Sequence, residues 1–243
     1  MSDALRDLPE QPNPEIHHQH RDVTGGWLRP TVFGMMDGLV SNFALIAGVA
    51  GASSGTTEVA LAGLAGLVGG AFSMAAGEYI SVQSQNESTA AELEVERHEL
   101  VHNKAAEVAE LAEMYVARGV DRNLAEQVAR QLSRDPDQAL RVHAQEELGV
   151  DPTQLPSPVT AAVSSFLSFS VGALLPLLPY ALGAKSIWIS AVLAVLALFG
   201  AGVAASRFTA RNWWYSGARQ LLFGVLAAAV TYGVGSLFHA TTG

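Results

Sequence analysis

The sequence predicts an all-α integral membrane protein with five transmembrane helices and a three-helix, water-facing insert between the second and third. Three observations predict it. Hydrophobic residues make up 49% of the 243 residues and charged ones only 15%, more apolar content than one soluble core requires. The mean hydropathy is positive. The charges are not spread evenly but fall largely in one block, between stretches long enough to cross a bilayer core of about 20 helical residues.

The chain divides into a polar tail over 1–26, two spans within 27–84, the insert over 85–155 and three spans within 156–243. The tail carries Pro12, Pro14 and the histidines His17, His18 and His20. It has no apolar run of the kind a secretory signal needs, and its histidines read as a flexible polar segment with incidental metal affinity. The first span is expected from Pro30 to Ala52, where Val, Phe, Met, Leu and Ile outweigh Asp37 and Asn42. The second runs from about Val59 to Val82, the third from Val159 to Tyr180, the fourth from Ser186 to Ala205 and the fifth from Leu221 to Phe238. Pro176 and Pro179 sit near the end of the third, where a membrane helix tolerates them.

Positive charge sets the orientation, because short loops rich in Lys and Arg stay in the cytoplasm. Arg21 and Arg29 precede the first span, Arg97, Lys104, Arg118 and Arg122 lie in the insert, and Arg207, Arg211 and Arg219 precede the fifth span. Five crossings put all three groups on one side. The other side holds the Gly51 to Glu58 turn, the turn with its single Lys185, and the tail after His239. The amino terminus and the insert are therefore expected inside and the carboxyl terminus outside, with Trp213, Trp214 and Tyr215 at the inner headgroup boundary. The lack of a targeting peptide fits a bacterial inner membrane, and an organelle membrane stays open.

Composition also excludes several functions. The net charge of −9 argues against nucleic acid, which demands clustered Lys and Arg. There is no cysteine, so thiolate metal sites and Cys nucleophiles are excluded. No Gly-x-x-x-x-Gly-Lys loop is present, so ATP would need another subunit. What remains for a cation is oxygen, imidazole and thioether.

The insert reads as three amphipathic helices, about Glu87 to Val101, Lys104 to Arg118, and one within Arg122 to Leu148 with a possible break at Pro136. Nothing between Glu78 and Glu92 interrupts a helix, so the first is expected to continue the second span. Glu92, Glu96 and Glu99 share one stripe, Glu107, Glu110, Glu113 and Met114 another, and His143, Glu146 and Glu147 fall within one turn. Like charges one turn apart repel by a few tenths of a kcal/mol, roughly, and a counter-cation relieves them. Pairing with Arg97, Lys104 and Arg118 is the alternative reading. Glu99 and His102 form one Glu-x-x-His, a spacing that di-iron bundles use twice.

Within the spans, Asp37 is the most informative residue. A carboxylate at mid-membrane is costly unless it is protonated, paired or beside a wet pathway. Ser41 and Asn42 follow one turn on, while Gly34 and Gly38 form a small-xxx-small pair that lets another helix approach. The second span offers Gly66, Gly70, Ser73, Met74, Gly77 and Glu78. Met74 is a soft donor that favours Fe²⁺ over Mg²⁺ or Ca²⁺, against a packing role, and Glu78 is either an interface residue or a pathway acid.

The strings Asp37-Gly38-Leu39-Val40-Ser41-Asn42-Phe43-Ala44-Leu45 and Gly69-Gly70-Ala71-Phe72-Ser73-Met74-Ala75-Ala76-Gly77-Glu78-Tyr79-Ile80-Ser81 closely resemble the vacuolar iron transporter family. The order of two spans, acidic insert and three spans agrees, so the likeness covers nearly everything after Trp27. The resemblance implies a homodimer of five-span subunits in the lipid bilayer that exchanges Fe²⁺ or Mn²⁺ for protons, with a pathway between paired first spans and a cytoplasmic metal-binding domain. By motif, Asp37 and Met74 match the pathway aspartate and methionine, and Glu96, Glu99, Glu107, Glu110 and Glu147 match the metal-binding glutamates. The chain departs from the family at His143 and Ala144, where adjacent methionines can stand, and at Gly66, where an acid can stand. These readings make Asp37, Asn42, Met74 and Glu78 the expected transport pathway. The expected insert ligands are Glu96, Glu99, Glu107, Glu110, Glu147, His143 and Met114, with Zn²⁺ also suited to them. A membrane-anchored ferroxidase that needs His102 is the competing expectation.

Overall fold

In the computed structural model, residues 26–52, 55–184, 186–207 and 211–242 are described, with side chains as far as Leu237. The tail histidines, Arg21 and Lys185 lie outside these residues. Among the described residues there is no strand. Eight α-helices follow in order: α1 Leu28–Ala52, α2 Thr56–His102, α3 Lys104–Ala117, α4 Arg122–Leu132, α5 Pro136–His143, α6 Pro158–Ala181, α7 Ile187–Ser206 and α8 Trp213–Thr242. Five of them, α1, α2, α6, α7 and α8, are long and apolar enough to cross a membrane.

The second span and the first insert helix form one 47-residue helix, α2, about 70 Å long at 1.5 Å per residue. The expected third insert helix is in fact two. The missing N–H of Pro136 cannot continue α4, and Asp135 starts α5 by accepting from the amides of Asp137 and Gln138 at 2.9 and 3.0 Å. After His143 the chain widens into a π-helical turn, Ala144–Leu148, that ends at Gly149 with φ +67°. The fifth membrane helix begins at Trp213 rather than Leu221. Its first two turns carry Arg219 and lower the apolar average, but Asn212 Oδ1 accepts from the amide of Trp214 at 3.0 Å and starts the helix there.

At the centre of the membrane body stands α1, which packs against α6, α8 and α2. The α1–α6 crossing is close because glycines line it from both sides. A Cβ on Gly172 of α6 would collide with the Met35 carbonyl, and one on Gly38 would lie 2.9 Å from the Ala173 amide. The helix that Gly34 and Gly38 admit is thus α6 of the same chain. Phe43 and Ala47 meet Ala194 and Ala228, while Ile46 meets Val59, Leu177 and Tyr180. The insert has a separate core of Leu111, Ala112, Ala125, Ala129 and Val142. The outer face of α2 is bare, with Leu61, Leu64, Val68, Phe72 and Ile80 all exposed.

Candidate functional site

Two constellations stand on α2, one at each end. The first lies in the insert. Glu96 comes from α2, Glu107 from the first turn of α3, His143 from the last residue of α5 and Glu147 from the π turn. One ligand atom from each lies within 4.8 Å of the other three. His143 is fully buried at the centre, its Nδ1 at 2.9 Å from Glu147 Oε1, 3.0 Å from Glu96 Oε1 and 3.6 Å from Glu107 Oε2. Glu147 stands four positions beyond His143, about one helical turn, which puts its carboxylate beside the ring.

Burial first, and then the charge of Glu147, push the Glu96 carboxyl up to about 7; Glu107 and Glu110 add to this and His143 opposes it. Burial also raises Glu107, with Glu110 the next contributor. The basic group facing these acids is His143. The insert's arginines pair elsewhere: Arg122 with Glu113, Arg118 with Glu146, Arg97 with Glu94 at 2.8 Å and Arg130 with Glu126 at 3.4 Å. Among the described residues no Arg or Lys forms an ion pair with Glu96, Glu107 or Glu147. The acids seen in the sequence therefore separate Glu113 and Glu146, which pair with arginines, from Glu96, Glu107 and Glu147, which converge on His143.

Three carboxylate oxygens and one imidazole nitrogen suit Fe²⁺, Mn²⁺ or Zn²⁺. Metal–ligand bonds of about 2.1 Å place ligand atoms on opposite sides of an ion about 4.2 Å apart, so atoms within 4.8 Å of one another need only a small closure to hold it. Of the other expected ligands, Glu99 and Glu110 lie close enough to bear on Glu107 by charge but outside the four. Glu99 accepts from Asn103 Nδ2 at 2.5 Å, and half-buried Met114 is not in the group either. His102 is exposed, stacks on His98 and approaches the His98 carbonyl with its Nδ1, so Glu99 and His102 do not act together at this site.

The second constellation is a cavity of about 290 Å³ between α1, α2 and α6, lined by Asp37, Ser41, Asn42, Gly66, Met74 and Phe169 among others. Asp37, Ser41 and Leu45 share one stripe of α1, and Gly66, Gly70, Ser73 and Met74 face it from α2. Phe169 was not legible as a lining residue. It fills the notch at Gly70, where a Cβ would meet its ring. Glu78 stands one turn along α2 from Met74 and does not line the cavity.

Such a body, with an aspartate and a methionine on a cavity among its apolar helices and one continuous helix leading to a carboxylate–imidazole cluster, is that of a polytopic membrane protein with two groups of candidate cation ligands. Comparison with known proteins makes this specific. The model of the VIT family matches residues 28–236. The chain is 40% identical over 228 residues to the vacuolar iron transporter of Acanthamoeba castellanii, covering 90% of this chain and 82% of that protein. It is 32% identical over 222 residues to vacuolar iron transporter 1 of Oryza sativa subsp. japonica, covering 90% and 88%. To vacuolar iron transporter 1 of Arabidopsis thaliana it is 31% identical over 231 residues, covering 92% and 91%. The chain belongs to the VIT family.

Proposed function

We propose that the chain is a secondary transporter that exports divalent iron or manganese from the cytoplasm in exchange for protons. One observation carries the reading: a single uninterrupted helix bears both Glu96 of the insert cluster and Met74 of the cavity. Twenty-two residues separate them, about 33 Å along α2, so the collecting site and the membrane site belong to one rigid rod. The relatives' names supply iron as the first cargo to test.

In this mechanism Glu96, Glu107, His143 and Glu147 take the ion from the cytoplasm. The ion passes to the cavity, where Asp37 supplies the charge and Met74 a soft donor. A proton arriving at Asp37 from the outside competes with the ion for the same oxygen atoms, and alternating access turns that competition into antiport. Asp37 and Ser41 lie at the subunit's flank and not at its centre. A second subunit seated on this flank takes the carboxylate out of contact with lipid and makes the pathway a dimer seam. The amino terminus and insert are then cytoplasmic and the carboxyl terminus outside.

Ferroxidase activity receives less support, because His102 is outside the four-ligand group. The test is metal uptake into sealed inside-out vesicles containing the full chain. Ferrous iron and manganese are expected to accumulate when the lumen is acidic. Oxygen consumption on adding ferrous iron, with no metal accumulating, would overturn the reading.

A further inference from the structure

Asn42 presents a feature that packing does not explain. It is 2% exposed, in the middle of α1. Its Nδ2 donates to the Ala173 carbonyl of α6 at 2.7 Å. A carbonyl only accepts, so the nitrogen end of the amide must face Ala173, and this fixes which end is oxygen. That oxygen, Oδ1, is buried and has no hydrogen-bond donor. It faces α2 at Gly66, where an added Cβ would stand 2.6 Å from it. Asn42 and Gly66 both line the cavity that holds Asp37 and Met74. Glycine at 66 spares this oxygen a crowding methyl, and a buried amide oxygen held at one angle without a donor is arranged for a partner that brings positive charge.

We propose that Asn42 Oδ1 is a fixed, neutral oxygen ligand for the divalent cation in the cavity, aimed by the Ala173 carbonyl and given space by Gly66. This rests on the transport reading and adds to it a neutral oxygen on the wall of the cavity that Asp37 and Met74 also line. The oxygen adds no charge, so it lowers the cost of stripping water from the ion without deepening the electrostatic trap that release must overcome. Gly66 is then a ligand-positioning residue. The bland alternative is that Asn42 only ties α1 to α6, with water satisfying Oδ1.

The test uses the full chain and Mn²⁺ as probe. Gly66→Ala leaves the Asn42–Ala173 bond in place and pushes a methyl against Oδ1; Gly66→Ser does the same but returns a hydroxyl oxygen to that position. Initial Mn²⁺ uptake into vesicles is expected to show KM raised about tenfold by Gly66→Ala, with maximal rate within about twofold of the parent, and partly restored by Gly66→Ser. Asn42→Leu is expected to raise KM by a similar factor. Mn²⁺ binding is measured in parallel by calorimetry in detergent, in a Glu107→Gln, His143→Gln background that silences the insert, and the same order of affinities is expected. Parental KM and affinity in both Gly66→Ala and Asn42→Leu would overturn the assignment. Altered binding in a chain that shows no flux would support the ligand and overturn the transport reading instead.

Discussion

The Nδ1 atom of His143 lies 3.0 Å from Oε1 of Glu96, and this contact joins the far end of the helix that carries Met74 to the last turn of the insert. The same nitrogen approaches Glu147 and Glu107, so one imidazole ties α2, α3 and the π turn together. Without an ion, a proton between Nδ1 and the carboxylate oxygens is what holds the cluster. With an ion, the Nδ1 lone pair is needed and the proton must leave or move to Nε2, which is buried and has no acceptor. Metal and proton therefore compete for the central atom of the cluster.

Removing that atom is expected to weaken the insert site more than removing any exposed acid. His143→Gln should lower Mn²⁺ affinity by at least about tenfold in calorimetry on the full chain, and Glu107→Gln should do likewise. Glu113→Gln is the control. Its carboxylate is exposed and held by Arg122, which lowers its pKa, so metal affinity should stay at the parental value. A larger loss in Glu113→Gln than in Glu107→Gln would mean that the paired acids, not the convergent ones, hold the ion.

The raised Glu96 pKa gives a pH dependence with a definite sign. A carboxyl whose folded pKa is about 7 against an ordinary 4.5 favours the fold while it is protonated, and that contribution disappears as pH rises through 7. Metal requires the ionised form, so one proton is released and affinity should climb about tenfold per pH unit up to about pH 7, then flatten. Melting curves with and without Mn²⁺ check this directly. The stabilisation by metal should widen between about pH 5.5 and about pH 8, and a constant gap would show that Glu96 does not titrate with binding.

At the α1–α6 crossing, Gly172→Ala places a methyl against the Met35 carbonyl and 3.0 Å from the Leu39 amide. Both are backbone atoms and cannot swing aside. A loss of about 1–3 kcal/mol is expected, read as a lower melting temperature in detergent. Gly69→Ala and Gly77→Ala meet nothing among the described residues within 4 Å and should melt like the parent subunit. Equal tolerance at all three positions would mean that the crossing is looser than its glycines indicate.

Most of the architecture was legible because hydropathy and helical period are local signals. The five spans, the break at Asp135-Pro136 and the run of α2 into the insert all follow from residues within a few positions of one another. The convergent cluster was only partly legible. Spacing grouped Glu92, Glu96 and Glu99 as one stripe, but only tertiary folding separates Glu96, which meets His143, from Glu99, which turns to Asn103. The pairing of Glu113 with Arg122 and of Glu146 with Arg118 joins different elements and was not visible in helix periodicity. The π turn carries no local signature beyond the Gly149 that ends it. In the membrane, Asp37 and Met74 stood out by chemistry, whereas the aim of Asn42 depends on a carbonyl 131 residues away.

The most direct measurement is proton flux driven by metal in proteoliposomes, comparing the parent with Asp37→Asn. That substitution keeps the volume of the side chain and removes its titration. The expected result is that ferrous iron or manganese drives proton movement in the parent and none in Asp37→Asn, while metal binding at the insert is unchanged in both. Parental proton flux in Asp37→Asn would contradict the exchange of metal for protons at this aspartate.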